Sequence, residues 1–332
     1  MVKRFLIALT VFALLPFTIT TSNAAPAKVK IGIVYDVGGR GDGSINDAAA
    51  LGIAAAKKKF GLSDLDVREL VTSGTSFDRE NRIEFLVKAN YDLVIGVGPS
   101  FNEPIAFMSD KYPESQFAII GSAGVGTVNV SCMYFRGDAT AYLAGVMAAL
   151  NSKSMKVGYL GDTKNMANEV MSRNFTAGAK YAVPKIQVYN ATSAEFLGAE
   201  ISALNTQGVD VLFSTWSRNG TILKAITSSK KSMKIIGVKP EQFYLTGKAA
   251  NKVLLGYVNQ RFDLAIIDLF AATVSGNSIT EIVDSKNDVF GKNYTLANNG
   301  VDLRATSANQ ASISAVARAK ALILAKKITL IK

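Results

Sequence analysis

The chain has 332 residues, carries 37 Lys and Arg against 26 Asp and Glu for a net charge of +11, and contains no histidine and one cysteine, Cys132. Without histidine the commonest general base and metal ligand are missing, so a Ser-His or Cys-His hydrolase is excluded, and one cysteine cannot close an intramolecular disulfide. The length passes the roughly 250 to 300 residues at which single cores stop growing, so two lobes are expected.

Met1 to Ala24 reads as a secretory signal peptide: Lys3 and Arg4, an apolar run from Phe5 to Thr18, then the small-residue site Ser22-Asn23-Ala24. Its removal takes two positive charges with it. No later stretch approaches the roughly 20 apolar residues of a membrane-spanning helix, and Cys132 lies too far along the chain to be lipidated at a processed N-terminus. A soluble, unlipidated periplasmic monomer with no direct membrane anchor is therefore expected. The lysines are scattered or sit in short runs, Lys57-Lys58-Lys59 and Lys230-Lys231, which read as solvated helix ends and not as a nucleic-acid surface.

Strand and helix alternate from Val29 onward. Val29 to Tyr35 predicts a strand, Ser44 to Phe60 a helix stopped by Gly61, Asp66 to Thr72 a strand, Asp78 to Ala89 a helix, Asp92 to Val97 a strand, Glu103 to Tyr112 a helix and Gln116 to Ile120 a strand. Gly121 to Gly126 reads as a crossing between lobes. A strand at Val128 to Phe135 and a helix at Ala139 to Leu150 lead into strands at Lys156 to Leu160, Lys185 to Tyr189, Asp210 to Ser214 and Lys234 to Val238. Helices near Met166 to Tyr181, Ala194 to Thr206 and Gly220 to Ser228 separate these strands. Lys252 to Val258 predicts a strand, Asp263 to Val274 a helix, Gly291 to Ser307 a loop with a turn at Asn298-Asn299-Gly300, and Ser312 to Lys327 a last helix. The fold class is α/β, two doubly wound parallel-sheet lobes joined by a multi-stranded hinge. The expected N-terminal lobe covers 28–122 plus about 262–290, the C-terminal lobe 123–261 plus about 291–332.

The glycine-rich stretch after the first strand, Asp36-Val-Gly-Gly-Arg-Gly-Asp-Gly-Ser-Ile-Asn-Asp47, places polar groups beyond a strand's carboxyl end, where open α/β proteins bind small molecules. It fits neither the dinucleotide nor the Walker spacing. Asp36, Asp42, Ser44 and Asn46 are candidate contacts, with Ser44 the expected N-cap of the next helix and Asp42 leaning toward a turn role. Further candidates are Phe101 after the third strand and the sole tryptophan Trp216, both near strand ends. No cofactor or metal is implied, and with no nucleophile and base pair in sight an enzyme is not expected.

Asp36-Val-Gly-Gly with Asp42, Ser44 and Asn46 resembles the entry motif of the basic membrane protein family. Gly96-Val-Gly, Phe117-Ala-Ile-Ile, Ala141-Tyr-Leu-Ala-Gly145, Val157-Gly-Tyr-Leu-Gly161, Phe175-Thr-Ala-Gly178 and Asp263-Leu-Ala-Ile follow in family order. The resemblance implies a type I periplasmic-binding-protein fold and an extracytoplasmic protein that captures a small polar, ring-bearing metabolite and delivers it to an ABC permease. The alternative is a sensor subunit that presents its closed form to a membrane receptor. Family receptors hold a purine nucleoside between two aromatics; here those positions are Ile45 and Ser193, and Gly121, Lys239 and Gln260 replace polar residues that read ribose or base. These departures argue against a purine nucleoside as ligand. Lys239 would suit an acidic group, and Trp216 could replace the missing aromatic wall.

Overall fold

Ile31-Gly-Ile-Val-Tyr and Leu93-Val-Ile-Gly-Val are unbroken apolar runs, and a strand with no polar face must be covered on both sides. The computed structural model describes residues 29–163, 167–193, 198–216, 219–228, 232–238, 252–286 and 289–332, and it buries both runs completely, as β1 (Ile31–Tyr35) and β3 (Leu93–Val97). The expected signal peptide lies outside the described residues. Around these strands stand β2 (Val67–Val71), β4 (Phe117–Ile120), β5 (Val130–Phe135), β11 (Val283–Asp284) and β12 (Val289–Tyr294), in the order β11-β12-β5-β4-β3-β1-β2. All neighbours in this sheet pair in parallel except β11 with β12. Helices α1 (Ile45–Phe60), α2 (Ser76–Lys88) and α3 (Asn102–Lys111) cross between its strands.

The second sheet runs β13-β10-β9-β8-β6-β7. Its members are β6 (Lys156–Asp162), β7 (Gln187–Ser193), β8 (Val211–Ser214), β9 (Lys234–Val238), β10 (Leu254–Gln260) and β13 (Val301–Ala305), the last antiparallel to β10. Helices α4 (Asp138–Asn151), α5 (Asn168–Ala182), α6 (Gly198–Thr206) and α7 (Asn219–Thr227) belong to this half. Helix α8 (Phe262–Val274) returns to pack on α1, and α9 (Gln310–Leu324) packs on α4. Helices α4 and α5 touch backbone to backbone: a Cβ on Gly145 would stand 2.0 Å from the Phe175 carbonyl oxygen, and one on Gly178 would stand 1.9 Å from that of Tyr142.

The strand expected at 128–135 joins the first sheet, not the second. Parallel neighbours usually need a long helical crossover, but residues 121–129 link β4 to β5 without a helix. Val125 plugs into the first lobe's core, and the buried Asn129 amide donates to the carbonyls of Ser109 and Ser115 at 3.1 and 3.2 Å, so the loop satisfies its surroundings as a helix would. The 291–307 segment is likewise not a loop: it supplies β12 to the first sheet and β13 to the second. The turn at 298–300 is as expected, with Asn298 Oδ1 accepting from the N–H of Thr295 and Gly300.

Three chain crossings therefore meet at the carboxyl ends of both sheets. The chain leaves β5 for α4, leaves β10 for α8, and passes from β12 to β13. Arg261 N donates to Gly300 O at 2.9 Å and Arg136 N to Tyr294 O at 2.9 Å. Phe135 stacks on Phe262 and on Tyr294 with ring centroids 4.5 and 4.8 Å apart, one ring from each crossing. Tyr294 anchors the stack through its hydroxyl, which donates to Asp268 Oδ2 at 2.6 Å.

Candidate functional site

The loop after β1 is held by its own acids. Asp47 accepts from the N–H of Gly41 and Gly43 at 2.6 and 2.8 Å, and Asp42 accepts from those of Ser44, Asn46 and Asp47 at 2.7, 3.3 and 3.2 Å. Asp42 thus does the capping work assigned to Ser44, whose side chain makes no capping hydrogen bond. These carboxylates occupy the N–H groups an anion would need at a helix start, so the loop is not a phosphate cradle. Burial pushes the Asp42 carboxyl up, against the three N–H donors that pull it down. Arg40 in the loop is tied to the neighbouring strand, its Nε and Nη2 donating to Glu69 at 2.8 and 2.7 Å, while the Tyr35 hydroxyl donates to the same carboxylate at 2.6 Å. Gly39 lies against this strand with φ of +55°; a Cβ there would stand 2.7 Å from Val71.

Asp36, immediately past β1, is not a bare acceptor. Arg79, in the first turn of α2, donates Nη2 to Asp36 Oδ1 at 2.7 Å, and Thr72 Oγ1 stands at 3.5 Å. Burial alone would raise the Asp36 carboxyl, but Arg79, Ser100 and the Val37 N–H outweigh it and hold the group below the usual carboxylate range. Asn46 is 1% exposed and donates its amide to the carbonyls of Asp36 and Val37. Ile45 reaches across the ends of β3 and β4: its methyl lies where a Cβ on Gly98 or Gly121 would be 3.7 or 3.3 Å away. Glycine at these two strand ends lets the Ile45 side chain pack over them.

The other expected contacts are placed differently. Phe101 is fully buried in the first lobe's core, its ring packed under Gly96 and beneath the Arg79 guanidinium, so it supports the site from below. Trp216 is 6% exposed in the second lobe's core, and its indole N–H donates to Gly161 O at 3.0 Å, so the ring is an interior residue and not a free stacking face. Ser44 is buried at the start of α1. Gln260 ends β10 opposite Val301, beside the crossings. Lys239 lies outside the described residues. Arg79 was missed by sequence reasoning; its signal is a cation in a helix's first turn, where the dipole disfavours one unless an acid is near.

Two sheets that direct their carboxyl ends to shared crossings, with a polar site on those ends, define a two-lobed solute-binding protein of the type I periplasmic-binding fold. The chain belongs to the family described as ABC transporter substrate-binding protein PnrA-like, which it matches over residues 28–309. It is 28% identical over 334 residues to the ABC transporter nucleoside-binding protein BmpA of Lactococcus lactis, covering 93% of this chain and 91% of that one. The crystal structure of an ABC transporter solute-binding protein from Aeropyrum pernix K1 has the same fold, with a TM-score of 0.72 at 18% identity over 91% of this chain and 93% of that chain.

One expectation is overturned by the relatives. A protein of Pyrococcus abyssi that is 38% identical over 132 residues, 39% of this chain and 32% of that protein, is named a lipoprotein, as are its counterparts in Pyrococcus horikoshii and Pyrococcus furiosus. The expected unlipidated, unanchored state rested on the lack of a later apolar stretch and on the position of Cys132. That residue is a core strand position whose thiol faces Val125 O at 3.3 Å, and a core cysteine carries no information about how a protein is held at a membrane. Among the described residues no helix is long and apolar enough to cross one.

Proposed function

We propose that this substrate-binding protein captures a small, ring-bearing polar metabolite of the nucleoside class on the carboxyl ends of the first sheet, closes its second lobe over it, and hands it to its permease without chemical change. The observation that carries this reading is the polar group at the carboxyl end of β1, where Asp36 pairs with Arg79 and Asn46 donates to the Asp36 carbonyl, beside Ile45 packed over Gly98 and Gly121. Ile45 supplies an aliphatic surface to one ring face. Gln260, opposite Val301 at the end of β10, is the candidate contact from the second sheet, and Lys239 is a further candidate. The relative named for nucleoside binding supports the ligand class. We further propose that the protein works as a monomer.

Thermal unfolding of the full chain in the presence of nucleosides, nucleobases, flavins, sugars and organic acids tests this. A ligand present at 100 times its Kd stabilises the folded state by about 2.7 kcal/mol, so a ring-bearing compound is expected to raise Tm by several degrees. A panel in which only linear acids raise Tm, or in which nothing does, would sink the proposal.

A further inference from the structure

The amino ends of the two sheets carry their charge differently. In the first lobe the lysines stand among acids: Lys57 pairs with Asp64, Lys88 and Lys111 share Glu84 at 3.1 and 2.9 Å, and Asp92 accepts from the Lys30 N–H at 2.7 Å. In the second lobe Lys153, Lys156, Lys180, Lys185, Lys234 and Lys252 gather where β6 to β10 begin, with Asp210 the one acid beside them among the described residues. Hydrogen bonds place them side by side. The Lys234 ammonium donates to the Lys252 carbonyl, Lys234 N donates to Asp210 O at 2.8 Å, and Asp210 N donates to Lys156 O at 3.2 Å. Gln187, two residues past Lys185, donates its N–H to Met155 O at 3.0 Å, and Lys180 lies in the last turn of α5, just before this strand start.

Asp210 pairs with none of these ammonium groups. Its carboxylate accepts from Ser152 Oγ and from the N–H of Lys153 and Ser154, at 2.6, 2.7 and 2.8 Å, while the Lys156 ammonium donates to the Gln207 carbonyl at 2.9 Å. The ion pairs of this half lie elsewhere, as in Arg173 with Glu169 and Lys320 with Asp302. Two apolar side chains stand exposed among the lysines: Met155, 41% exposed in the loop before β6, and Tyr181, 47% exposed beside Lys180. Like charges crowded together repel, and an anionic surface brought against them relieves that repulsion.

We propose that this pole of the second lobe is a membrane-contact face, a lysine belt that rests on anionic phospholipid headgroups with Met155 and Tyr181 set between them. The belt runs across several strand ends, which suits an extended surface and not one small anion. It is built of lysine, a diffuse point charge, where arginine would be the choice for reading nucleic-acid phosphates and base edges. Exposed Met and Tyr side chains suit the headgroup boundary, where an apolar body meets water. A substrate-binding protein that serves a permease also works beside a membrane. The face lies at the opposite end of the parallel strands from their carboxyl ends, so the contact leaves the ligand site free and holds whichever ligand that site takes.

Co-sedimentation with lipid vesicles tests this, using the processed chain without residues 1–24, whose apolar run would insert by itself. Phosphatidylcholine vesicles carrying about 30% phosphatidylglycerol are expected to bind the protein at least about tenfold more tightly than phosphatidylcholine alone, and about 0.5 M NaCl to abolish the difference. Lys153→Glu combined with Lys185→Glu and Lys252→Glu, all exposed, is expected to lower the affinity for anionic vesicles at least about tenfold. Lys30→Glu combined with Lys58→Glu and Lys59→Glu changes the net charge equally on the first lobe and is expected to lower it less than about threefold. Equal binding to the two lipids, binding that survives the salt, or equal losses in the two triple variants would each overturn the proposal. Retention of a random DNA duplex by a protein that ignores anionic vesicles would overturn it too, and would mark the belt as a nucleic-acid surface. The lipid and salt comparisons use the unsubstituted protein, so they stand even where a triple variant fails to fold.

Discussion

The two lobes finish their sheets in opposite ways. In the first, β1 ends in a loop whose acids are absorbed by backbone N–H groups, and the remaining polar residues, Asp36, Arg79 and Asn46, gather at the strand ends. In the second, the aromatic residues near the strand ends turn inward: Trp216 donates to Gly161 O, and the Tyr159 hydroxyl reaches Asn168 Oδ1 at 2.8 Å. The first lobe thus gathers polar side chains at its strand ends, and the second uses its largest side chains as structure. One partnered indole N–H decides between a stacking platform and a core residue, because a buried donor without an acceptor is costly.

Changes in the second lobe should act on stability, and changes at the first lobe's strand ends on binding. The largest stability effect is expected at the α4 and α5 contact. Gly145→Ala drives a methyl to 2.0 Å from a backbone carbonyl, which cannot turn aside as a side chain can, and is expected to cost about 3 kcal/mol in urea unfolding. A loss below about 0.5 kcal/mol would show that the two helices are not in backbone contact. Trp216→Phe removes the indole hydrogen bond and part of a core ring, at about 2 kcal/mol, with ligand affinity retained. A lowered affinity at unchanged stability would move Trp216 back into the site.

A smaller effect separates two acids of the same loop. Asp36 is held below the ordinary carboxylate range, so its contribution to stability is present above the unfolded value near 4 and is lost as pH falls through its folded value. Asp42 is raised, so its shift disfavours the folded state above that same value and the penalty is relieved as pH falls. Unfolding free energies followed from pH 5 downward should therefore fall less steeply for Asp36→Asn than for the wild type and more steeply for Asp42→Asn. The reverse ranking would mean that Arg79 does not pair with Asp36 in solution.

Much of the fold was legible because it is written locally. Apolar runs such as Phe117-Ala-Ile-Ile, glycine stops such as Gly61, and the turn at Asn298 each depend on neighbours a few residues away, and together they gave the alternating lobes. The strand memberships at 128–135 and 289–305 were not legible, since whether a short polar segment adds to a sheet depends on a partner edge supplied from elsewhere. The site was half legible. Asp36 and Asn46 could be placed at a strand end from the sequence, but the Asp36 to Arg79 pair joins residues 43 apart and the Trp216 to Gly161 bond residues 55 apart. Nothing in the spacing of single residues announces either contact. Phe101 illustrates the remaining error: a residue just past a strand end can point down into the core as readily as up toward a ligand.

The central claim is that the first lobe's strand ends, and not the second lobe's tryptophan, hold the ligand. Side-by-side titrations of one bound ligand into Asp36→Ala and Trp216→Phe proteins test it most directly. The account predicts that Asp36→Ala loses at least about tenfold in affinity while Trp216→Phe stays within about twofold of the wild type; an intact affinity in Asp36→Ala with a collapsed one in Trp216→Phe would contradict it.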